Sequence, residues 1–273
     1  MNLKWYLKTL GGPSLSNNNG LAKLSRRKSL ALFVYLLVTR REYERESLAN
    51  VFWPDLPEVG GRTALRSSIS DLNRVLGSNW LSSNGTALSL NPKFPVVCDL
   101  HELEKSATLK KAIPKETIKQ FERNFLEGFR LEGCDVFEEW CYVQREYATN
   151  RLFVLLNAQL NIAVEIKDWE SVSEIAWKWI SLDSLSEQPY IALMKRYQYF
   201  GQPTQALSEY SKLSERLQSE LGVTPSIAAQ KFRDELKEVD PIPPKITKQN
   251  FEPEFQPIHR LSLIYLMTVD RID

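Results

Sequence analysis

Residues 155–188 can be laid over residues 189–222 at an offset of 34, and the match falls on the positions that decide packing. Leu160 meets Met194, Ala163 meets Tyr197, Ile166 meets Phe200 and Trp169 meets Pro203. Val172, Ala176 and Trp179 meet Ala206, Tyr210 and Leu213. Apolar residues three and four apart, repeated at this period, mark paired antiparallel helices. No such pair hides its apolar face alone, so neighbouring pairs must stack into a curved solenoid. Lys167-Asp168 and Gly201-Gln202 mark the turn inside each pair. Upstream, residues 136–165 read as one long helix or two. Downstream, Thr224-Pro225 reads as an N-cap with proline at the first helical position, opening a helix to about Leu236. A plain helical bundle is the alternative, and the offset argues against it.

The front of the chain follows a different pattern. A helix from about Arg45 stops at Phe52-Trp53-Pro54, because proline disfavours helical geometry in the residue before it. After Gly60-Gly61, read as a turn, a helix over residues 62–76 carries Leu65, Ile69, Leu72 and Leu76 on one stripe. Thr63, Ser67, Ser70 and Arg74 fall nearly opposite, with Arg66 on the flank. Small hydroxyls allow close approach to a duplex, and arginines reach phosphates or guanine edges, so this helix is shaped for a major groove. A solvated amphipathic helix is the alternative, and the flanking elements weigh against it. Ser25 reads as the N-cap of an earlier helix packed by Leu30, Phe33, Val34 and Leu37. Arg26, Arg27 and Lys28 lie in its first turn, against the helix dipole, as a phosphate partner or a solvated turn would allow. Residues 3–15 read as one or two short strands broken at Gly11-Gly12-Pro13. Residues 80–83 and 87–90 flank Asn84-Gly85, a two-residue hairpin signal. Three helices and then a hairpin make a winged helix-turn-helix, whose last helix enters the groove while the hairpin tip touches the adjacent backbone.

Charge divides the same way. Residues 1–97 hold 13 Lys and Arg against 6 Asp and Glu, and the remainder holds 22 against 28, although the whole chain of 273 residues is nearly neutral. A basic front suits phosphate, and an acidic back is repelled by it. Cys98, Cys134 and Cys141 are irregularly spaced, which fits a reduced, cytoplasmic chain, and the last two read as small buried hydrophobes. The N-terminus lacks the apolar core of a secretion signal, and the apolar run over residues 261–269 is too short to span a bilayer. With His101 and His259 as the two histidines, neither histidine-based acid–base chemistry nor a multi-histidine metal site is expected. No G-x-x-x-x-G-K-[ST] element occurs, so no Walker-type nucleotide site is expected. The chain therefore reads as a non-enzyme without a cofactor.

Several short motifs run in a fixed order across residues 3–238. They are Trp53-Pro54-Asp55, Ala64-Leu65-Arg66, Ser70-Asp71-Leu72-Asn73-Arg74-Val75-Leu76-Gly77, Val97-Cys98-Asp99-Leu100 and Phe125-Leu126-Glu127-Gly128-Phe129. Leu182-Asp183-Ser184-Leu185-Ser186-Glu187, Leu193-Met194 and Glu220-Leu221-Gly222-Val223-Thr224-Pro225-Ser226 continue the series. The ordered set resembles the bacterial transcriptional activation domain family of antibiotic-regulatory-protein-type activators. The resemblance implies a mainly α chain: an N-terminal winged helix-turn-helix of α+β type over residues 1–97, an α-helical tetratricopeptide-like domain over 98–240, and a linker and tail over 241–273. It implies a cytoplasmic transcription activator that binds direct repeats in double-stranded promoter DNA, contacts RNA polymerase, forms a homodimer on DNA and has no membrane partner. Carried over by position, Arg62, Thr63, Arg66, Ser67, Ser70 and Arg74 are the major-groove contacts, with Asn84 and Gly85 at the wing tip. Many relatives place arginine where this chain has Asp71 and Asn73. Asp71, read on the shoulder of the exposed face, either weakens binding, orients an arginine or accepts from a cytosine. A protein-interaction adaptor and the N-terminal part of a signalling ATPase regulator are the competing functions. The tail after Pro241-Ile242-Pro243-Pro244 is expected to be poorly ordered or to dock on the helices, as the remnant of a longer relative.

Overall fold

The computed structural model describes residues 4–109 and 113–238. Alternation in β1 (Trp5–Lys8) buries Trp5 and Leu7 and exposes Tyr6 and Lys8. β1 pairs antiparallel with β2 (Ser14–Asn17), which pairs in turn with β3 (Gly20–Leu21). Next come α1 (Arg27–Thr39), β4 (Tyr43–Glu44), α2 (Arg45–Phe52), α3 (Glu58–Leu76) and a hairpin of β5 (Leu81–Asn84) and β6 (Ala87–Leu90), with β4 on its outer edge. β7 (Val96–Cys98) then returns to run parallel beside β1. α1 is apolar around its whole circumference, residues 31–37 are all buried, and it forms the centre of this half.

The helices and hairpin expected of a winged helix-turn-helix are present, with local corrections. Arg26, not Ser25, stands at the N-cap of α1, and it makes no capping bond with its side chain. α3 starts a turn earlier than residue 62, so Gly60 and Gly61 lie inside it. A Cβ on Gly61 would sit 3.3 Å from the Ala49 Cβ, so glycine lets α2 and α3 approach closely. Asn84 pairs with Ala87, which moves the hairpin tip from Asn84-Gly85 to Gly85-Thr86. Gly85 takes a φ of 63° there, as the first tip residue of a tight hairpin requires.

Helices α4 (Asp99–Leu109), α5 (Lys115–Phe121), α6 (Asp135–Glu165), α7 (Trp169–Leu182), α8 (Glu187–Tyr199), α9 (Pro203–Leu221) and α10 (Ile227–Glu238) follow. The span from residue 136 to 165 is one helix. The repeat is visible in the turns: Lys167 and Gly201 both take left-handed φ values, 60° and 67°. Leu160, Val172, Ala176 and Trp179 are buried, as are their counterparts Met194, Ala206, Tyr210 and Leu213. Ile166 breaks the match, because it caps α6 and is exposed. α10 begins after Ser226 rather than at Pro225. The Ser226 hydroxyl accepts from the Ala229 amide, and its own amide donates to Glu187 at 2.8 Å.

The two halves share one core. The Asp99 carboxylate accepts from the amides of Thr9 and Leu10, each at 2.8 Å, and the same strand end pairs with the segment before α6 through Leu126 N to Thr9 O at 2.7 Å. Tyr35 meets Trp140 at 4.8 Å between ring centroids, Phe52 meets Phe137 at 5.4 Å, and Phe125 meets Trp140 at 5.6 Å. Ring pairs of this kind contribute about 0.5–1.5 kcal/mol each beyond area burial. The Phe52 carbonyl, which the end of α2 leaves without a helical partner, accepts from Lys28 Nζ and Cys134 Sγ. Arg27 donates to the Arg130 carbonyl at 3.0 Å and lies over the Phe129 ring at 4.7 Å. Arg27 thus ties the two halves together directly, and Lys28 does so through the carbonyl it shares with Cys134. The boundary at residue 97 falls within β7. The tail over 241–273 and His259 lie outside the described residues. No described helix is long and apolar enough to cross a membrane.

Candidate nucleic-acid interface

α3 is leucine-backed as its periodicity requires. Leu65, Leu72 and Leu76 are buried, Ile69 is half-buried and packs on the same core, and Ser68 joins them. The helix packs on α1, on α2 and on the 3-10 turn at Ser78–Trp80. Its other side stays in solvent, with Arg62, Thr63, Arg66, Ser70 and Arg74 all exposed. Asn84 and Gly85 are exposed at the end of the hairpin.

Within that face the residues are not equivalent. The side chains of Arg66 and Ser70 have no hydrogen bond or ion pair among the described residues. Arg62 is engaged by Glu58 and, at 3.8 Å, by Glu46. Exposed pairs of this sort contribute about 0–1 kcal/mol, so a phosphate can displace them. The Thr63 hydroxyl donates back to the Val59 carbonyl at 2.9 Å and keeps its acceptor capacity. Ser67 is half-buried and accepts from Arg26, whereas Arg66 stands clear, so these two exchange the flank and face positions read from the sequence.

Asp71 is buried, not on the exposed shoulder, which removes it as an acceptor for cytosine. It accepts the Ser25 amide at 3.1 Å and Arg74 Nη2 at 2.8 Å. Burial alone would raise this carboxyl, but bonds from Arg74 and Ser25 outweigh it and hold the group below the usual carboxylate range. Arg74 Nη2 also donates to the Ser25 hydroxyl at 2.8 Å, while the Arg74 side chain stays 61 % exposed. Asn73, the other departure from arginine, accepts the Trp80 indole N–H at 2.7 Å. That indole is fully buried and needs a partner, so Asn73 fixes the joint between α3 and the hairpin.

Two residues beside this face are not among the DNA contacts carried over from the family, although Arg26 reads from the sequence as a cation that a phosphate could partner. Arg26 reaches Ser67 from the segment before α1. Arg45, at the start of α2, donates its amide to the Thr86 carbonyl and its guanidinium to the Ser83 hydroxyl, each at 3.1 Å, bracing the wing. The run Arg26-Arg27-Lys28 signals a cation here. Periodicity cannot tell which of the three faces α3 and which two turn inward.

Away from this face, burial shifts the titratable groups of Cys98, Cys141 and His101. Burial, with Asp99 beside it, pushes the Cys98 thiol up to about 12, and burial, with Glu138, does the same to Cys141. His101 is held down at about 4 by burial and by the Arg40 charge. Among the described residues no three His, Cys, Asp or Glu side chains are grouped to hold a metal ion.

The model of the family described as bacterial transcriptional activator domain matches residues 98–237. Among solved structures, that of Mycobacterium tuberculosis EmbR in complex with a low affinity phosphopeptide is similar to this chain, with a TM-score of 0.60 and 14 % sequence identity. The likeness covers 86 % of this chain and 65 % of EmbR, and at that identity it is a likeness of fold. No curated protein sequence matches the chain.

Proposed function

This chain belongs to the bacterial transcriptional activator domain family, and from that premise we propose that it is a transcription regulator that binds double-stranded promoter DNA with α3 in the major groove. One observation carries the reading. The face of α3 that bears Arg62, Thr63, Arg66, Ser70 and Arg74 is exposed beside Arg26 and a braced hairpin, and the helical half leaves it uncovered. Hydroxyls and guanidiniums at this spacing match base edges and phosphates, and the exposed wing tip at Asn84 and Gly85 suits the neighbouring backbone. The wider reading follows the family: activation from direct repeats, a homodimer on DNA, and RNA polymerase met by the helical half.

A fluorescence-anisotropy titration of the full chain against duplexes selected from a random pool tests the DNA reading. It should give sequence-dependent binding whose logarithmic affinity falls linearly with the logarithm of salt concentration. Arg66→Ala should cost about 1–3 kcal/mol on the selected site if Arg66 reads a base. A chain that enriches no duplex, or an Arg66→Ala variant with unchanged affinity and base preference, contradicts the respective claim.

A further inference from the structure

We propose that Asp71 is a positioning residue that sets Arg74 for contact with DNA, working through Arg74 and Ser25. This rests on the DNA-binding reading of α3. The carboxylate is buried, at 7 % side-chain exposure, on a helix where Ser70, Asn73 and Arg74 face solvent. A charge placed there stays ionised when it is paired and hydrogen-bonded, and Asp71 has both kinds of partner. One Oδ1 receives Arg74 Nη2 at 2.8 Å, and both oxygens are within reach of the Ser25 amide, Oδ2 at 3.1 Å. The Ser25 hydroxyl closes the ring by accepting from the same Arg74 nitrogen.

The consequence for Arg74 is geometric. A free arginine samples many rotamers and must give them up on binding, whereas a guanidinium held by two acceptors has already done so. Among the described residues only Nη2 is engaged, so Nε and Nη1 remain for a phosphate or a base edge. The carboxylate also fastens the segment before α1 to α3, which keeps Arg26 against Ser67 and beside the same surface. Arginine at position 71 would add a cation. Aspartate instead fixes the direction of one already present.

The test is a double-mutant cycle on the full chain, using the duplex selected by the unmodified protein as probe. Asp71→Asn keeps an acceptor for the Ser25 amide but removes the charge that holds Arg74. It should weaken binding roughly three- to ten-fold, and the loss should vanish when Arg74 is already alanine. Ser25→Ala, which leaves the Ser25 amide on Asp71, should give a smaller loss that also vanishes in the Arg74→Ala background. This second variant decides the matter should Asp71→Asn fail to fold in a thermal melt. Equal losses in both backgrounds, or no loss for either variant, overturn the positioning role while leaving DNA binding intact. Failure of the unmodified chain to select any duplex overturns the DNA reading, and this inference with it.

Discussion

Truncating Phe137 to alanine asks whether the winged half and the helical half are held by a single core. The ring is fully buried and meets Phe52 of α2 at 5.4 Å, Trp140 at 5.5 Å and Phe129 at 6.5 Å between centroids. Losing its buried surface costs about 2 kcal/mol in transfer free energy. The hole does not close easily, because the Phe52 carbonyl is held by Lys28 and Cys134 and Arg27 lies over the Phe129 ring. Transfer and cavity together bring Phe→Ala changes to about 3–5 kcal/mol, and three ring partners place this one near the middle or above, at about 4 kcal/mol. For a chain of this size that lowers the melting temperature by about 8–16 °C. The decisive readout is where protection disappears. Hydrogen exchange read by mass spectrometry should show α3 and α8 losing protection together, because both rest on the core that Phe137 joins. A loss below about 1 kcal/mol, or helices α7 to α10 opening while α1 to α3 stay protected, would refute a shared core.

Other outcomes follow from single sites. Lys167 holds a left-handed φ that its counterpart Gly201 adopts freely, so Lys167→Gly should raise stability by about 0.5–1 kcal/mol in urea titrations, and a loss there would show that its contact with the Tyr199 ring matters more. His101 titrates at about 4 when folded and near its ordinary 6.5 when unfolded, so the unfolded chain takes up its proton first. Stability should therefore fall as pH drops from about 6.5 to about 4, and His101→Gln should flatten that limb of the curve; an unchanged limb would assign it to other groups. Cys98 and Cys141, ionising only near 12, should resist iodoacetamide at pH 8 in the native chain and react fully in denaturant. Rapid native labelling of either would contradict their burial.

Much of the fold is legible in the order of residues. The 34-residue offset predicts the turns at Lys167 and Gly201 and the buried equivalences Leu160–Met194 and Val172–Ala206, because each depends on neighbours three or four residues away. The same short range sets the stop of α2 at Pro54 and the leucine stripe of α3. Errors gather where two local signals compete. Ser25 and Thr224 both look like caps, yet the Ser25 amide goes to Asp71 and the helix after Thr224 waits for Ser226.

What the amino-acid order determined by itself was the long helices and the hairpin, their sequence and their apolar sides, since periodicity is written in adjacent residues. β4, β7, α4 and α5 were not read from it. Which polar side chains remain available was decided by tertiary packing. Arg27 and Lys28 are spent on Arg130 and Phe52, Arg26 turns to Ser67, and Asp71 is drawn inward to serve Ser25 and Arg74. Most of these contacts span tens of residues along the chain, and a hydrogen bond is fixed by where two groups meet in space, which no local pattern encodes.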